Sequence, residues 1–250
     1  MLLLHDFVGQ ENIILQALSV IFEDAWSILL RGKYGYGKTT LAIALATAMS
    51  ICTYSLPVMD SVDLSDRSKV HIIDEAHLMK TPELMYPYMS SGRFIFCSNM
   101  AGELPDPFLS RVYQFRMEDY SNAELAQIVG VNTGAPASVA AYISTRCKGN
   151  PRTAVELGNR LIAYSKFSRQ PLTVPLAAGI FGDVFGIDDN GFDEIDRNYI
   201  KMASRPISKR TLALALDISY KELERRERFL IQKGLLRITS KGRIVNGSLT

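Results

Sequence analysis

A glycine-rich stretch near the N-terminus has the residue types and spacing of a phosphate-binding loop. Residues 31–42 read RGKYGYGKTTLA, in which Gly32, Gly37, Lys38 and Thr39 satisfy the pattern G-x-x-x-x-G-K-[S/T]. The glycines of such a loop let backbone N–H groups approach phosphate oxygens, and the lysine brings a positive charge to them. The threonine hydroxyl is a ligand for Mg²⁺. The stretch therefore predicts a site for a nucleotide and Mg²⁺.

Acidic and amide side chains follow two apolar segments further along the chain. Asp74 and Glu75 come directly after Val70–Ile73, and Asn99 follows the apolar run Arg93–Cys97. At the carboxyl end of a strand beside the loop, Asp74 would hold the Mg²⁺ shell and Glu75 would activate the attacking water. Asn99 would help to position that water, although an asparagine after a strand is also a common turn residue.

Two arginines fit the same chemistry. Phosphoryl transfer spreads negative charge over the γ-phosphate oxygens in the transition state, and arginines stabilise that charge. Arg111 follows the segment PDPFLS, and Arg152 stands in GNPR at the start of a predicted helix. On spacing alone, either residue is equally well a surface arginine.

The segments that carry these residues are predicted to alternate between strands and helices. Apolar strands alternating with helices indicate a parallel sheet covered on both faces. The predicted elements are strands at 27–31, Val70–Ile73, Arg93–Cys97 and Val112–Phe115, and helices at Thr39–Met49 and Pro82–Met89. We expect Thr81 to cap the second helix, with Pro82 at its first position.

From Ser121 onward the pattern is mainly helical. Ser121 and Glu124 form a capping-box signature, and helices follow at Ala135–Cys147 and Pro151–Tyr164. Residues 170–190 contain proline, glycine and aspartate and are predicted to be a connector, with room for one short helix at LAAGIF. The remaining predictions are helices at Lys209–Leu216 and Ser219–Lys233, the lengths of a helix-turn-helix, and a β-wing at Leu235–Val245.

Taken in order, the segments HDFVGQE, GKYGYGKTTLA, VHIIDEAHLMKTPE, FIFCSN, DPFLSRV and GNPRTA resemble those of AAA+ ATPases. YSNAELAQIV, GFDEIDRNYI and FLIQKGLLRITSKGRIV are similar, more narrowly, to the RuvB family of Holliday-junction branch-migration motors. This resemblance implies an α/β AAA+ P-loop domain at 1–117, a small helical lid at 118–187 and a C-terminal winged helix at 188–250.

The resemblance also implies a role for each site residue. Walker A residues would bind ATP, Asp74 with Thr39 would hold Mg²⁺, and Glu75 would be the catalytic Walker B acid. Asn99 would be sensor 1, Arg152 sensor 2, and Arg111 an arginine finger that reaches the nucleotide of a neighbouring subunit. The active form would then be a homo-oligomeric ring or spiral, a hexamer in this family. The ATP-binding residues implied are Gly32, Gly35, Gly37, Lys38, Thr39, Thr40, Phe7 and Val8, the last two beside the adenine.

Three departures from the family pattern bear on function. Lys33 and Tyr34 replace paired prolines, which predicts a looser phosphate loop with its Gly37-Lys38-Thr39 core intact. The sensor 1 position holds Asn99 where this family usually has threonine. Between the helix at Pro82–Met89 and the next strand, the family inserts a long β-hairpin that grips its junction-binding partner. Only a short turn stands there in this chain, so coupling to such a partner in the family's manner is not expected.

The charge distribution points to a polyanionic partner. Residues 197–250 carry 13 Lys and Arg against 4 Asp and Glu, whereas residues 1–196 carry 15 against 22. Contacts with a phosphate backbone are expected from Lys221, Arg225, Arg228, Arg237, Lys241 and Arg243. Glu222, Glu224 and Glu227 dilute this basic face, so a winged helix that docks on protein, or a solvated basic surface without a partner, remains open.

Three function classes remain on these observations. The first is a DNA-associated ATPase motor in recombination or replication. The second is a loader or adaptor whose ATP-bound oligomer places a replication or recombination protein on DNA, and the third is a DNA-binding regulator with a vestigial nucleotide site. No apolar run approaches the roughly 20 residues that span a bilayer, so no membrane partner is expected. Cys52, Cys97 and Cys147 are predicted to be buried free thiols in the cytoplasm, without a zinc site or disulfide.

Overall fold

The structure is a computed structural model that describes residues 4–49, the backbone of 53–56, residue 64 and residues 66–246. It divides into two compact units, Met1–Tyr120 and Ser121–Thr250. The prediction for Cys52 lies outside the described residues.

The first unit is built on a five-stranded parallel sheet with the strand order β2-β3-β4-β1-β5. The strands are β1 (Trp26–Arg31), β2 (Thr53–Leu56), β3 (Val70–Ile73), β4 (Arg93–Ser98) and β5 (Tyr113–Arg116). The helices are α1 (Glu11–Ile21), α2 (Lys38–Ala48), α3 (Tyr86–Met89) and α4 (Asp106–Leu109), with 3₁₀ turns at Leu4–Asp6, Ala76–Leu78, Pro82–Met85 and Ala101–Glu103. The parallel α/β architecture expected from the sequence is confirmed.

The central strands are apolar along their length because both faces of the sheet are covered. All four residues of β3 are buried, as are five of the six in β1 and five of the six in β4. One face carries a core cluster in which Phe94, Phe96 and Phe108 stack or meet edge to face. Helix α2 packs against β1, β3 and β4 with small residues such as Ala42 and Ala46, which are fully buried.

The sheet brings three strand ends to one edge. The register pairs Arg31 of β1 with Ser98 of β4, and Ile73 of β3 with Phe96 of β4. Because the strands are parallel, the residues that follow them leave the sheet on the same side. Since β1 is followed by a crossover to β2 on one side and has β5 on the other, this edge is the topological switch point at which open α/β sheets bind ligands.

The segment 82–89 departs from the predicted single helix. It forms a 3₁₀ turn at Pro82–Met85 followed by the short helix α3, and the Thr81 side chain makes no capping hydrogen bond. Pro87 lacks the N–H that would bond the carbonyl of Glu83, and the backbone N–H of Tyr86 bonds that carbonyl instead. Helix α1 and strand β2 were not predicted from the sequence.

The second unit is helical and ends in a β-hairpin. Its elements are α5 (Asn122–Thr133), α6 (Ala137–Ser144), α7 (Pro151–Ser168), α8 (Val174–Asp183), α9 (Glu194–Met202), α10 (Lys209–Ala215), α11 (Tyr220–Gln232), β6 (Leu236–Thr239) and β7 (Gly242–Val245). The capping box of Ser121 and Glu124 is present at the start of α5. The predicted connector contains a ten-residue helix, α8, because Thr173 caps it and Pro175 occupies its first turn.

Helices α9 to α11 and the hairpin enclose a core of their own. Tyr199, Leu212, Leu223 and Leu230 are fully buried in it. Residue Ile207 forms an antiparallel bridge to Arg243, so that a third short segment pairs with the wing. The helix-turn-helix and wing predicted from the sequence are confirmed in their order and approximate bounds.

Cys97 and Cys147 are free and buried, as predicted. Burial raises the pKa of the Cys147 thiol to about 11, so this thiol stays neutral. Within the described residues, no helix combines the length and apolarity needed to cross a membrane.

Candidate nucleotide and nucleic-acid sites

The phosphate loop joins β1 to α2 and depends on glycine at two positions. Gly37 precedes α2 with φ +82°, a left-handed conformation that a side chain strains. At Gly32 an added Cβ would lie 2.8 Å from the Cβ of Met117, so the loop passes too close to that segment for any other residue. Gly35 lies in the turn between them, and Thr40 is exposed in the first turn of α2.

Aromatic side chains pack against the phosphate loop. The rings of Tyr36 and Tyr120 lie 5.7 Å apart, and the Tyr120 hydroxyl donates to the carbonyl oxygen of Tyr36. A Cβ at Gly37 would lie 3.5 Å from the ring of Phe7. Phe7 and the half-buried Val8 therefore lie next to the loop, where the resemblance puts the adenine-binding segment.

Lys33 links the phosphate loop to the segment that follows β5. Its ammonium pairs with the carboxylate of Asp119 and donates to the Tyr36 hydroxyl over 3.2 Å. The Tyr36 hydroxyl in turn donates to the same Asp119 oxygen over 3.0 Å. These contacts tie the loop to that segment, and the looser loop predicted from Lys33 and Tyr34 stays a prediction.

Lys38, Thr39 and Asp74 meet at the edge of the sheet. The Lys38 ammonium donates to the carbonyl oxygens of Gly32 and Lys33, over 3.1 and 3.0 Å, which holds it inside the curve of the loop. The Thr39 hydroxyl donates to Oδ2 of Asp74 over 2.8 Å. The two residues predicted to hold Mg²⁺ therefore have their oxygens in contact.

Glu75 and Asn99 present buried oxygens at the same edge. Glu75 has φ +48°, a conformation uncommon outside glycine and typical of strained functional turns. Within the described chain, Glu75 Oε2 and Asn99 Oδ1 are buried and accept no hydrogen bond. His77 Nδ1 lies 3.5 Å from Glu75 Oε2 and 3.2 Å from the Ser98 hydroxyl, which links the ends of β3 and β4.

The two arginines of the predicted site lie in different units. Arg111 follows α4 in the first unit, is exposed, and its guanidinium carbon lies 4.5 Å from the ring centroid of Tyr86. Arg152 is exposed in the first turn of α7 in the second unit, where the Asn150 side chain caps the helix by accepting from the Arg152 and Thr153 N–H groups. Their predicted roles as arginine finger and sensor 2 stay predictions.

Sequence reasoning missed several residues at this edge. Tyr120 donates to the backbone of the loop, His77 lies beside Glu75, and Tyr86 lies under Arg111. Tyr36, within the loop, accepts a hydrogen bond from Lys33. His77 was accessible from the sequence, since it follows Glu75 by two positions in the same turn. Tyr86 was not accessible in this way, because it contacts Arg111 from 25 positions away, a pairing that only the tertiary fold produces.

The oxygens and amides at this edge suit a nucleotide with Mg²⁺. Hydroxyl and carboxylate oxygens are the ligands that Mg²⁺ prefers, and those of Thr39 and Asp74 converge on one point. Unsatisfied buried oxygens are rare in proteins, and those of Glu75 and Asn99 mark a place for an added polar partner. The residues present therefore fit both groups.

The basic residues of the second unit divide into an exposed set and a paired set. Residues exposed on α11 and the wing are Lys221, Arg225, Arg228, Arg237 and Lys241. Arg243, also predicted to contact DNA, is half-buried and its Nε donates to Glu227 over 2.8 Å. Glu227 is itself buried and accepts from the Tyr199 hydroxyl, so it does not dilute the exposed basic face.

Another arginine of α11 belongs to a buried charge cluster. Arg226 donates to Asp193, the N-cap of α9, and to the fully buried Asp196 in its first turn, over 2.7 and 2.8 Å. Lys148, in the turn before α7, pairs with the same two carboxylates. The cluster thus joins the turn between α6 and α7 to the start of α9 and to α11. Burial raises the pKa of Asp193, but hydrogen bonds from Arg226 and Lys148 outweigh it, so that pKa lies well below its usual range.

Comparison with known proteins bears on both units. Residues 189–247 match the RuvB C-terminal winged helix domain family. The chain is 28% identical to the Holliday junction branch migration complex subunit RuvB of Fusobacterium nucleatum, with 96% of this chain and 88% of the relative covered. It is 27% identical to the subunit of the same name from Streptomyces coelicolor, with 96% and 82% covered. The chain is a RuvB-like AAA+ protein.

A solved structure agrees with this assignment across both units. The Thermotoga maritima RuvB Holliday junction branch migration motor is 27% identical, covers 98% of the chain with 94% of its own length, and has a TM-score of 0.76. In this RuvB-like chain, α3 ends at Met89 and β4 begins at Arg93. Only residues 90–92 therefore connect α3 to β4, at the place where the sequence predicts that the family's long β-hairpin is absent.

Proposed function

We propose that this RuvB-like protein is an ATP hydrolase that assembles as a homo-oligomer on DNA and uses hydrolysis to move or remodel that DNA. The observation that carries the proposal is the convergence of Lys38, Thr39, Asp74 and Glu75 at one edge of the sheet. The names of its relatives, which are subunits of a Holliday junction branch migration complex, support DNA as the molecule on which it acts.

In this proposal each residue at the edge has a defined task. Lys38 places its charge at the phosphate oxygens of ATP, and Thr39 and Asp74 hold Mg²⁺, which neutralises phosphate charge when bound. Glu75 orients the attacking water through its buried Oε2 and takes up its proton, while the Asn99 amide helps to align that water. Arg111 of one subunit stabilises charge on the γ-phosphate held by the next, and Arg152 acts from the lid.

The proposed organisation keeps three parts: the nucleotide-binding domain 1–117, the lid 118–187 and the winged helix 188–250. Binding of DNA is assigned to the exposed basic residues of α11 and the wing. The oligomer is proposed to be a ring or spiral, with a hexamer as the family's usual form.

Hydrolysis and its dependence on assembly are tested together. Glu75→Gln should bind ATP but not hydrolyse it, and Arg111→Ala should also lose hydrolysis although its own Glu75 is intact. Mixing the two variants should restore activity, because a Glu75→Gln subunit still supplies Arg111 to its neighbour. Full activity of Arg111→Ala alone would exclude a site shared between subunits.

A second candidate function is favoured by the short turn at 90–92. In this second proposal the protein, lacking a hairpin there, would act as an ATP-switched loader that places a replication or recombination protein on DNA. A branch-migration or strand-displacement assay with the purified protein alone separates the two functions. A motor converts the substrate in an ATP-dependent manner, whereas a loader hydrolyses ATP and leaves the DNA substrate unchanged.

A further inference from the structure

The arginine proposed to act across the subunit interface does not project freely into solvent. Its guanidinium carbon lies 4.5 Å from the ring centroid of Tyr86. One terminal nitrogen of Arg111 also donates to the carbonyl oxygen of Pro107 in α4. An exposed arginine side chain is thus held by an aromatic face on one side and a backbone oxygen on the other.

The aromatic face is itself fixed in place. Tyr86 opens α3 and is half-buried against the apolar cluster formed around Phe96 and Phe108, together with Leu109 and Val112. Leu109 and Val112 flank Arg111 in the chain. The Tyr86 ring and the chain on either side of Arg111 therefore pack against the same apolar cluster.

Stacking suits a guanidinium that must then bind phosphate. A cation over a ring face is attracted by the ring quadrupole, while the N–H groups at the edge of the guanidinium remain directed away from the ring. The contact also restricts a side chain that otherwise has large rotamer freedom, so less entropy is lost when it engages a phosphate.

We propose that Tyr86 is a positioning residue for Arg111, presenting its guanidinium to the triphosphate bound by a neighbouring copy of this chain. This inference rests on the proposed function, in which Arg111 acts between subunits. Tyr86 acts only in the subunit that donates the arginine. Its effect is on the rate of ATP hydrolysis in the neighbouring subunit and not on nucleotide binding in its own subunit.

Mixed assemblies test this directly. Arg111→Ala subunits hydrolyse ATP only when Glu75→Gln subunits donate Arg111 to them. Adding Tyr86→Leu to the Glu75→Gln donor should lower the recovered hydrolysis by roughly two- to fivefold, the range expected for an exposed cation–π contact. Adding the same change to the Arg111→Ala acceptor should not lower it. Tyr86→Phe in the donor keeps the ring and should restore the recovery.

A matched control is available in the same helix. Tyr88 is an exposed tyrosine two positions further on, and Tyr88→Leu in the donor should leave recovery unchanged. Absence of recovery in the simple mixture would refute the shared site itself, that is, the proposed function. Normal recovery there, with no loss from Tyr86→Leu in the donor or an equal loss from donor and acceptor, would overturn the role of Tyr86 alone.

A second measurement is independent of hydrolysis. The ring current of Tyr86 should displace the Nε–H resonance of Arg111, which is assigned by its disappearance in Arg111→Ala. That resonance should move toward the unperturbed arginine position in Tyr86→Leu and stay near its original position in Tyr86→Phe. An identical Arg111 resonance in the protein and in Tyr86→Leu would contradict the proposal.

Discussion

The hydroxyl of Thr39, at the start of α2, donates a 2.8 Å hydrogen bond to Oδ2 of Asp74, the residue that follows β3. These residues are 35 positions apart in the chain. They meet because β1, which leads into the loop before α2, and β3, which leads into Asp74, are parallel and end at the same edge of the sheet. Strand β4 lies between them. The contact defines the point at which we expect Mg²⁺ to be held.

Removing the Thr39 hydroxyl tests that expectation. Thr39→Val keeps the branched shape but removes the ligand oxygen, so hydrolysis should need more Mg²⁺ and kcat should fall by roughly 10- to 100-fold, the loss expected for a hydrogen bond to a charged group. ATP hydrolysis is measured against Mg²⁺ concentration. Thr39→Ser, which retains the hydroxyl, should titrate like the original protein, and a Thr39→Val variant that also did so would contradict the assignment.

The charge cluster around Arg226 predicts a large difference between two adjacent arginines. Arg226→Met leaves the fully buried Asp196 with reduced compensation and should lower the free energy of unfolding by about 3–5 kcal/mol. Arg225→Met, on the exposed side of the same helix, should change it by less than about 0.5 kcal/mol. Urea unfolding followed by far-UV circular dichroism gives both values. Comparable losses in the two variants would show that the cluster does not stabilise the fold.

Asp193 predicts a dependence of stability on acid. Its folded-state pKa lies below the usual value, because hydrogen bonds from Arg226 and Lys148 outweigh burial. Its stabilising contribution is therefore complete above the unfolded pKa, about 3.9, and is lost as the pH falls toward the folded value.

Asp193→Asn isolates this contribution, since asparagine still caps α9. At pH 7 the variant should be less stable than the original protein, and the difference should shrink as the pH falls below about 4. Urea midpoints of the two proteins at pH 7, 4 and 3 provide the measurement. A difference that stays constant across this range would mean that the Asp193 carboxylate does not supply it.

The exposed and paired arginines of the winged helix should behave differently toward DNA. If Arg225 and Arg228 contact phosphates, the Arg225→Ala/Arg228→Ala variant should bind DNA more weakly at all sequences. The slope of log affinity against log salt should become shallower by roughly 2, about 0.9 for each lost phosphate contact. Lys166→Ala, which removes an exposed charge from α7, is the control. Fluorescence anisotropy across a salt series measures the slopes.

Arg243→Ala should instead act through stability. Its Nε donates to the buried Glu227, which would be left with the Tyr199 hydroxyl as its remaining partner in the described core. A lower unfolding midpoint with an unchanged salt slope is the expected result. A shallower salt slope of DNA binding with an unchanged unfolding midpoint would show instead that Arg243 contacts DNA.

Local patterns were sufficient where neighbouring residues carry the signal. The phosphate loop, the acidic end of β3 and the capping box of Ser121 depend on residues a few positions apart, so their sequence spacing already determines the local geometry. The predicted helix at 82–89 was wrong in form because Pro87 withholds a single N–H, a feature that is visible in the sequence.

The residue pattern alone specified the phosphate loop with its acidic partner strand, four of the five parallel strands, and the basic character of the C-terminal segment, but not α1 or β2. Which arginines face outward depended on tertiary packing. Arg225, Arg226 and Arg228 share one short helical stretch, yet Arg226 points toward acids on α9 that are 30 and 33 positions away. The stacking of Arg111 on Tyr86 was decided in the same way, because pairing across such distances depends on how helices pack and leaves no periodic trace in the sequence.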